Sequence, residues 1–111
     1  LKKPRPRSVK DLKASMEQGD VGAKRELAEQ MMIGKGVDKN ETNAMSFLKD
    51  CAAHGDTDAM VVLANCCALG HRTEKDVVRG LALLLESAKN GNQDAQSYLK
   101  LLSKFKGKDT I

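Results

Sequence analysis

A Gly-Asp pair at residues 19–20 returns at 55–56 and, as Gly-Asn, at 91–92, a step of 36 residues. The same step carries Ala23 onto Ala59 and Ala95, Leu27 onto Leu63 and Leu99, and Leu12 onto Leu48 and Leu84. It also carries Gly34 onto Gly70 and Ala52 onto Ala88. No other feature limits the fold so strongly. A fixed period of this length in 111 residues means short supersecondary units set one after another, each burying its apolar face on a neighbour.

Each unit reads as two helices. Asp20, Asp56 and Asn92 follow a glycine and precede an apolar-periodic stretch, which is N-cap placement for a short side-chain oxygen. The preceding glycine suits the left-handed position that ends the helix before it. Ala44, Phe47, Leu48, Cys51 and Ala52 fall at i, i+3, i+4, i+7 and i+8, one face of an amphipathic helix. Gly34, Gly36 and Gly70 mark the turn inside a unit. The pattern predicts helices over 8–18, 22–33, 41–54, 57–69, 76–90 and 93–105. Ala23, Ala28, Ala52, Ala59, Ala64 and Ala88 are small enough for antiparallel helices to approach closely. A generic bundle has no reason to repeat glycines and caps at one interval, so an all-α superhelix of antiparallel helix pairs is expected.

These residues resemble the Sel-1-like repeats, relatives of the tetratricopeptide repeat. The first unit carries Ala23, Leu27-Ala28, Met31, Gly34-Lys35-Gly36-Val37, Asn40, Asn43-Ala44 and Cys51-Ala52-Ala53-His54-Gly55-Asp56. The second carries Ala59, Leu63-Ala64, Cys67, Gly70-His71-Arg72-Thr73, Asp76, Arg79-Gly80 and Ser87-Ala88-Lys89-Asn90-Gly91-Asn92. Ala28 and Ala64 replace the family's glycine, and Met31 and Cys67 its aromatic residue. The resemblance implies a basic lead-in (1–7), a repeat domain (8–105) and a basic tail (106–111). The domain divides into a half unit (8–19), repeats at 20–55 and 56–91, and a polar capping helix (92–105).

Charge is unevenly placed. Residues 1–13 hold six Lys/Arg and one acid, and 100–111 hold four Lys and one acid, whereas 14–99 hold nine bases and thirteen acids. Basic ends offer nucleic acid or an anionic membrane as an alternative partner. Against that, no aromatic residues are interleaved among the bases for stacking. No apolar run reaches the roughly 18 residues of a membrane span, and no signal-like stretch follows Leu1–Arg7. Without an initiator Met, the chain is expected to be a piece of a longer protein or a processed product. Three cysteines (Cys51, Cys66 and Cys67) without framework spacing imply reduced thiols and a cytoplasmic or nuclear setting.

Cys51-x-x-His54 followed by Cys67-x-x-x-His71 imitates a zinc-site spacing. The pairs end successive antiparallel helices, so about twelve residues of helix, roughly 18 Å, separate them. No metal and no cofactor are expected, and the cysteines read as small core residues. Gly34-Lys35-Gly36-Val37 lacks the Gly-Lys-Ser/Thr end of a phosphate loop. No catalytic set stands out. Some secreted, cysteine-rich bacterial members of the family bridge one helix to the next eight residues on, and penicillin-related activity has been attributed to them. Here Cys51 would need a partner at Ala59, so that enzyme reading loses its support.

The resemblance implies a scaffold or adaptor that binds another protein or peptide, with no small-molecule substrate. It places the first helix of each pair (22–33, 57–69 and 93–105) on a concave face. Ala23, Leu27, Met31 and their equivalents should then point inward. Arg25, Glu29, Met32, Val61, Asn65, Ala68, Ser97, Leu101 and Lys104 form the expected partner-binding set.

Overall fold

The computed structural model describes residues 7–34 and 36–105, Phe105 by its backbone alone. Lys2, Lys3, Arg5, Lys35 and the basic tail 106–111 lie outside the described residues. Six helices run through them: α1 (Val9–Glu17), α2 (Val21–Ile33), α3 (Glu41–Ala53), α4 (Thr57–Leu69), α5 (Val77–Lys89) and α6 (Gln93–Phe105). Every end falls within one residue of its expected place. The chain divides between His54 and Gly55 into two compact units, the first holding α1–α3 and the second α4–α6.

In the first unit, short polar side chains start each helix by taking an orphan N–H. Ser8 Oγ accepts from Asp11 N (3.1 Å), Asp20 Oδ1 from Ala23 N (3.0 Å) and Asn40 Oδ1 from Asn43 N (3.0 Å). Gly34 ends α2 in the left-handed region at φ 73°, and its N–H donates to Gln30 O (2.8 Å). The chain then folds back, with Asn40 N donating to Met31 O (2.9 Å), which sets α3 antiparallel to α2. Helix α2 packs on both α1 and α3. Leu12, Leu27 and Leu48 are buried, each full burial worth about 1.5–3 kcal/mol. Cys51, fully buried on α3, donates its thiol to Val21 O at the start of α2 (3.4 Å).

The second unit repeats these devices 36 residues on. Asp56 Oδ1 accepts from Ala59 N (3.1 Å) and Asp76 Oδ1 from Arg79 N (3.0 Å), and Asp76 N donates to Cys67 O (2.8 Å). Ser87 Oγ donates to Thr57 O (2.9 Å), so a hydroxyl fills the slot that a thiol fills in the first unit. Arg72, at φ 64°, stands where the first unit has Gly36 at φ 71°. Helix α5 packs on α4 and α6, and Ala64, Leu84 and Ala95 form a buried cluster flanked by Val61, Leu83, Ala88 and Leu99.

Asn92 fastens the two first helices of this unit together. It is 8% exposed, and its Oδ1 accepts from Ala95 N (2.9 Å). Its amide nitrogen donates to Thr57 Oγ1 (3.2 Å) and Asp58 Oδ1 (2.8 Å), which ties the start of α6 to the start of α4. Ala52 and Ala88 are half-buried, and α6, expected to be a polar cap, is not uniformly polar. Beside Lys100 and Lys104 it exposes Tyr98, Leu101 and Leu102 (46%, 51% and 53%), at i, i+3 and i+4 on one helix face.

Candidate partner-binding surfaces

The expected binding set separates into open, engaged and buried residues. In the first unit, Arg25 is half-buried and its guanidinium pairs with Glu29 Oε1 one turn on (3.3 Å). Met32 was expected to face outward but is 7% exposed. The buried arc of α2 (Ala23, Leu27, Ala28, Met31 and Met32) is wider than a single inward stripe. Two further expectations fail in the second unit, where α5 packs on both α4 and α6. Val61 packs against the Ala64–Leu84–Ala95 cluster. Ala68 faces α5 at Gly80, its methyl 3.4 Å from where a Cβ on that glycine would stand. Asn65, Ser97, Leu101 and Lys104 are exposed.

The exposed residues of the expected set in the second unit lie on α4 and α6. Asn92 holds the two helices side by side at their N-terminal ends. Asn65 on α4 presents a free side-chain amide, and Tyr98, Leu101 and Leu102 on α6 present half-exposed apolar groups. Tyr98 and Leu102 were not among the expected residues. Their i, i+3, i+4 spacing with Leu101 was the signal for them.

The first unit holds a cleft of about 360 Å³ lined by Met16, Gly19, Asp20, Val21, Lys24, Phe47, Asp50 and His54. Lys24 Nζ pairs with Asp50 Oδ2 at 2.5 Å and lies 5.1 Å from the centroid of the Phe47 ring. The hydrogen bond from Lys24 holds the Asp50 carboxyl below its usual range. His54 Nδ1 sits 2.8 Å from Asp50 O, a contact in which the ring N–H donates. At the mouth, Asp20 Oδ2 accepts from Arg7 (3.0 Å), and the other nitrogen of Arg7 reaches Glu26 Oε1 (3.1 Å). The bond from Ala23 N, then that from Arg7, lowers the Asp20 pKa. Arg7, expected to be part of a free basic arm, is docked on the fold. The charges of this cleft are spent on each other, and the 36-residue equivalents of Lys24 and His54 are Met60 and Asn90.

The chemistry available is correspondingly limited. None of the three cysteines is in a disulfide, and all are buried. Burial pushes the Cys66 thiol up, with Arg72 nearby opposing the rise. Among the described residues no group of three or more His, Cys, Asp or Glu is placed to hold a metal ion. Nor is any helix among them long and apolar enough to cross a membrane.

No protein-family model matches the chain, and no curated protein matches it in sequence. Solved structures do. A Sel1 repeat protein from Oxalobacter formigenes superposes with a TM-score of 0.74 at 28% identity, over 82% of this chain and 37% of that one. A protective antigen of uropathogenic Escherichia coli with an SLR fold gives 0.79 at 25% identity, over 92% of this chain and 22% of that one. The cysteine-rich protein B of Helicobacter pylori gives 0.71 at 19% identity, over 81% of this chain and 68% of that one. The chain thus spans well under half the length of the first two structures it matches. With six helices in repeated antiparallel pairs, the same caps at each 36-residue step and these structural neighbours, the chain has an all-α Sel1-like repeat fold, related to the tetratricopeptide repeat.

Proposed function

We propose that this chain is a protein–protein interaction module rather than an enzyme, and that a partner peptide lies along the open face of α4 and α6. The observation that carries this reading is the trio Tyr98, Leu101 and Leu102, half-exposed on one face of α6, with the amide of Asn65 exposed on α4. Large apolar side chains left in water at helical spacing suit an apolar anchor, while an exposed amide can bond a peptide backbone. Ser97 and Lys104 border the same face and supply a further hydrogen-bonding group and a positive rim. The neighbours' repeat fold supports a binding role in general and names no partner.

The test is selection of peptides from a random library by the 111-residue chain, followed by titration of the selected peptides. Leu101→Ser with Asn65→Ala should weaken binding by about tenfold or more while helix content is unchanged, since both side chains are exposed. The affinity should change little between about 50 and 200 mM salt, a range over which phosphate-dominated binding falls steeply. Undiminished affinity in the double variant would remove α4 and α6 as the site. A steep salt dependence would move the partner class to nucleic acid or anionic lipid.

A further inference from the structure

The outer face of α5 is apolar where a solvent face is ordinarily polar. Val78, Leu81, Ala82 and Leu85 are all exposed, Val78 at 80% and Leu85 at 51%. They fall at i, i+3, i+4 and i+7, hence on one stripe, opposite the Gly80–Leu84–Ser87 face that is buried within the unit. The 36-residue equivalents on α3 are Thr42, Met45, Ser46 and Lys49, three of them polar. The repeat itself therefore does not call for apolar residues at Val78, Ala82 and Leu85. The stripe is a feature of α5 that its repeat equivalent α3 lacks.

The charges around the stripe point to what covers it. Arg79 and Glu86 stand two turns apart on one flank. Lys89 continues the stripe at its C-terminal end, and Glu74 stands just before the N-terminal end of α5. All four are exposed, and none has an ion-pair partner among the described residues. Consider a second α5 laid antiparallel on the first and centred between Leu81 and Ala82. Val78 then meets Leu85 of the second copy, and Leu81 meets its Ala82. Lys89 reaches the second copy's Glu74, and Arg79 comes beside its Glu86. The two-fold axis makes each of these contacts twice, and the antiparallel helix dipoles are also favourable.

We propose that α5 pairs with α5 of a second copy of this chain in a two-fold, antiparallel interface. The charge order of this one helix supplies its own complement, which a foreign helix would have to match independently. A uniformly anionic membrane fits less well, because Glu74 and Glu86 would face like charge. A helix of 13 residues is about 20 Å long, and a single such pair buries less than the roughly 1,200 Å² of a stable complex. The dimer is accordingly weak and concentration-dependent. It uses a surface separate from the open face of α4 and α6 and stands or falls without it.

Sedimentation equilibrium of the full chain from about 10 µM to about 1 mM should show a monomer–dimer equilibrium. Val78→Gln with Leu85→Gln should weaken it by about tenfold or more at unchanged helix content. Lys89→Glu alone and Glu74→Lys alone should each weaken it, and the two together should restore it towards the wild-type constant. A chain that stays monomeric across the range overturns the proposal, whether or not anionic vesicles or a foreign helix bind the stripe. So does a dimer that survives the glutamine pair, or a double charge exchange that restores nothing.

Discussion

Gly80 lies in the middle of α5, where alanine is ordinarily the better residue by about 0.5–1 kcal/mol. The structure predicts the opposite sign here. A Cβ at this position would stand 2.8 Å from the carbonyl oxygen of Ala64 and 3.2 Å from the backbone nitrogen of Ala68. Both are main-chain atoms of α4, so no rotamer change relieves the contact and the helices must move apart. Such overpacking costs about 1–3 kcal/mol, which leaves Gly80→Ala destabilised by roughly 1–2 kcal/mol after the propensity gain. In a unit of this size that lowers the melting temperature by roughly 5–10 °C. The first unit supplies the contrast, because the equivalent residue is Ala44, fully buried, so α2 and α3 already accommodate a methyl there. Gly22→Ala is the control, since its Cβ would meet only a side-chain oxygen of Asp20, at 3.3 Å, and the change should stay within about 0.5 kcal/mol. Urea titration followed by circular dichroism measures all three chains. A Gly80→Ala protein as stable as the wild type, or more so, would refute the close approach of α4 and α5.

Other outcomes follow from the same geometry. Leu63 and Leu84 are 5% and 9% exposed, so either Leu→Ala should cost about 2–5 kcal/mol by urea titration. Asn92→Ala breaks three hydrogen bonds of a buried amide, and should cost more than Asp56→Ala, whose cap is worth about 0.5–2 kcal/mol. Asp20 and Asp50 titrate below the usual carboxylate value of 3.8, so the stability they confer is complete above that pH and is lost as pH falls through their lower folded values. The melting temperature of Asp50→Asn should accordingly fall less than that of the wild type between about pH 5 and pH 2.

The helices were legible because their ends are written in single residues. Asp20, Asp56 and Asn92 cap where an Asp or Asn after glycine must cap, and Gly19, Gly55 and Gly91 take φ values of 91–96° that other residues rarely adopt. Side-chain direction was less legible. A step of 100° per residue assigns a residue to a face, but not the distance to the helix opposite. Val61 and Ala68 lie on the arc expected to be open, yet Val61 packs on the Ala64–Leu84–Ala95 cluster and Ala68 lies against α5 at Gly80. That glycine was read only as part of a repeat motif. Met32 shows the same limit, since α2 is covered over a wider arc than one stripe. The cleft beside Lys24 was missed because its residues come from α2, α3 and the end of α1, with no common spacing to mark them. Of the exposed apolar trio on α6, Leu101 was expected, whereas Tyr98 and Leu102 were masked by the lysines among them.

The distribution of buried thiols has a practical consequence. Cys51 belongs to the first unit, and Cys66 and Cys67 to the second, all of them 6% exposed or less. A thiol held this way reacts with a disulfide reagent only when its surroundings open, and under rapid reclosing its labelling rate measures the free energy of that opening. The chain therefore carries a native reporter in each half. Labelling followed by peptide mapping against denaturant would give one opening curve from Cys51 and another from the vicinal pair. Coincident curves would mean one cooperative unfolding event, and separate curves would give each unit its own stability.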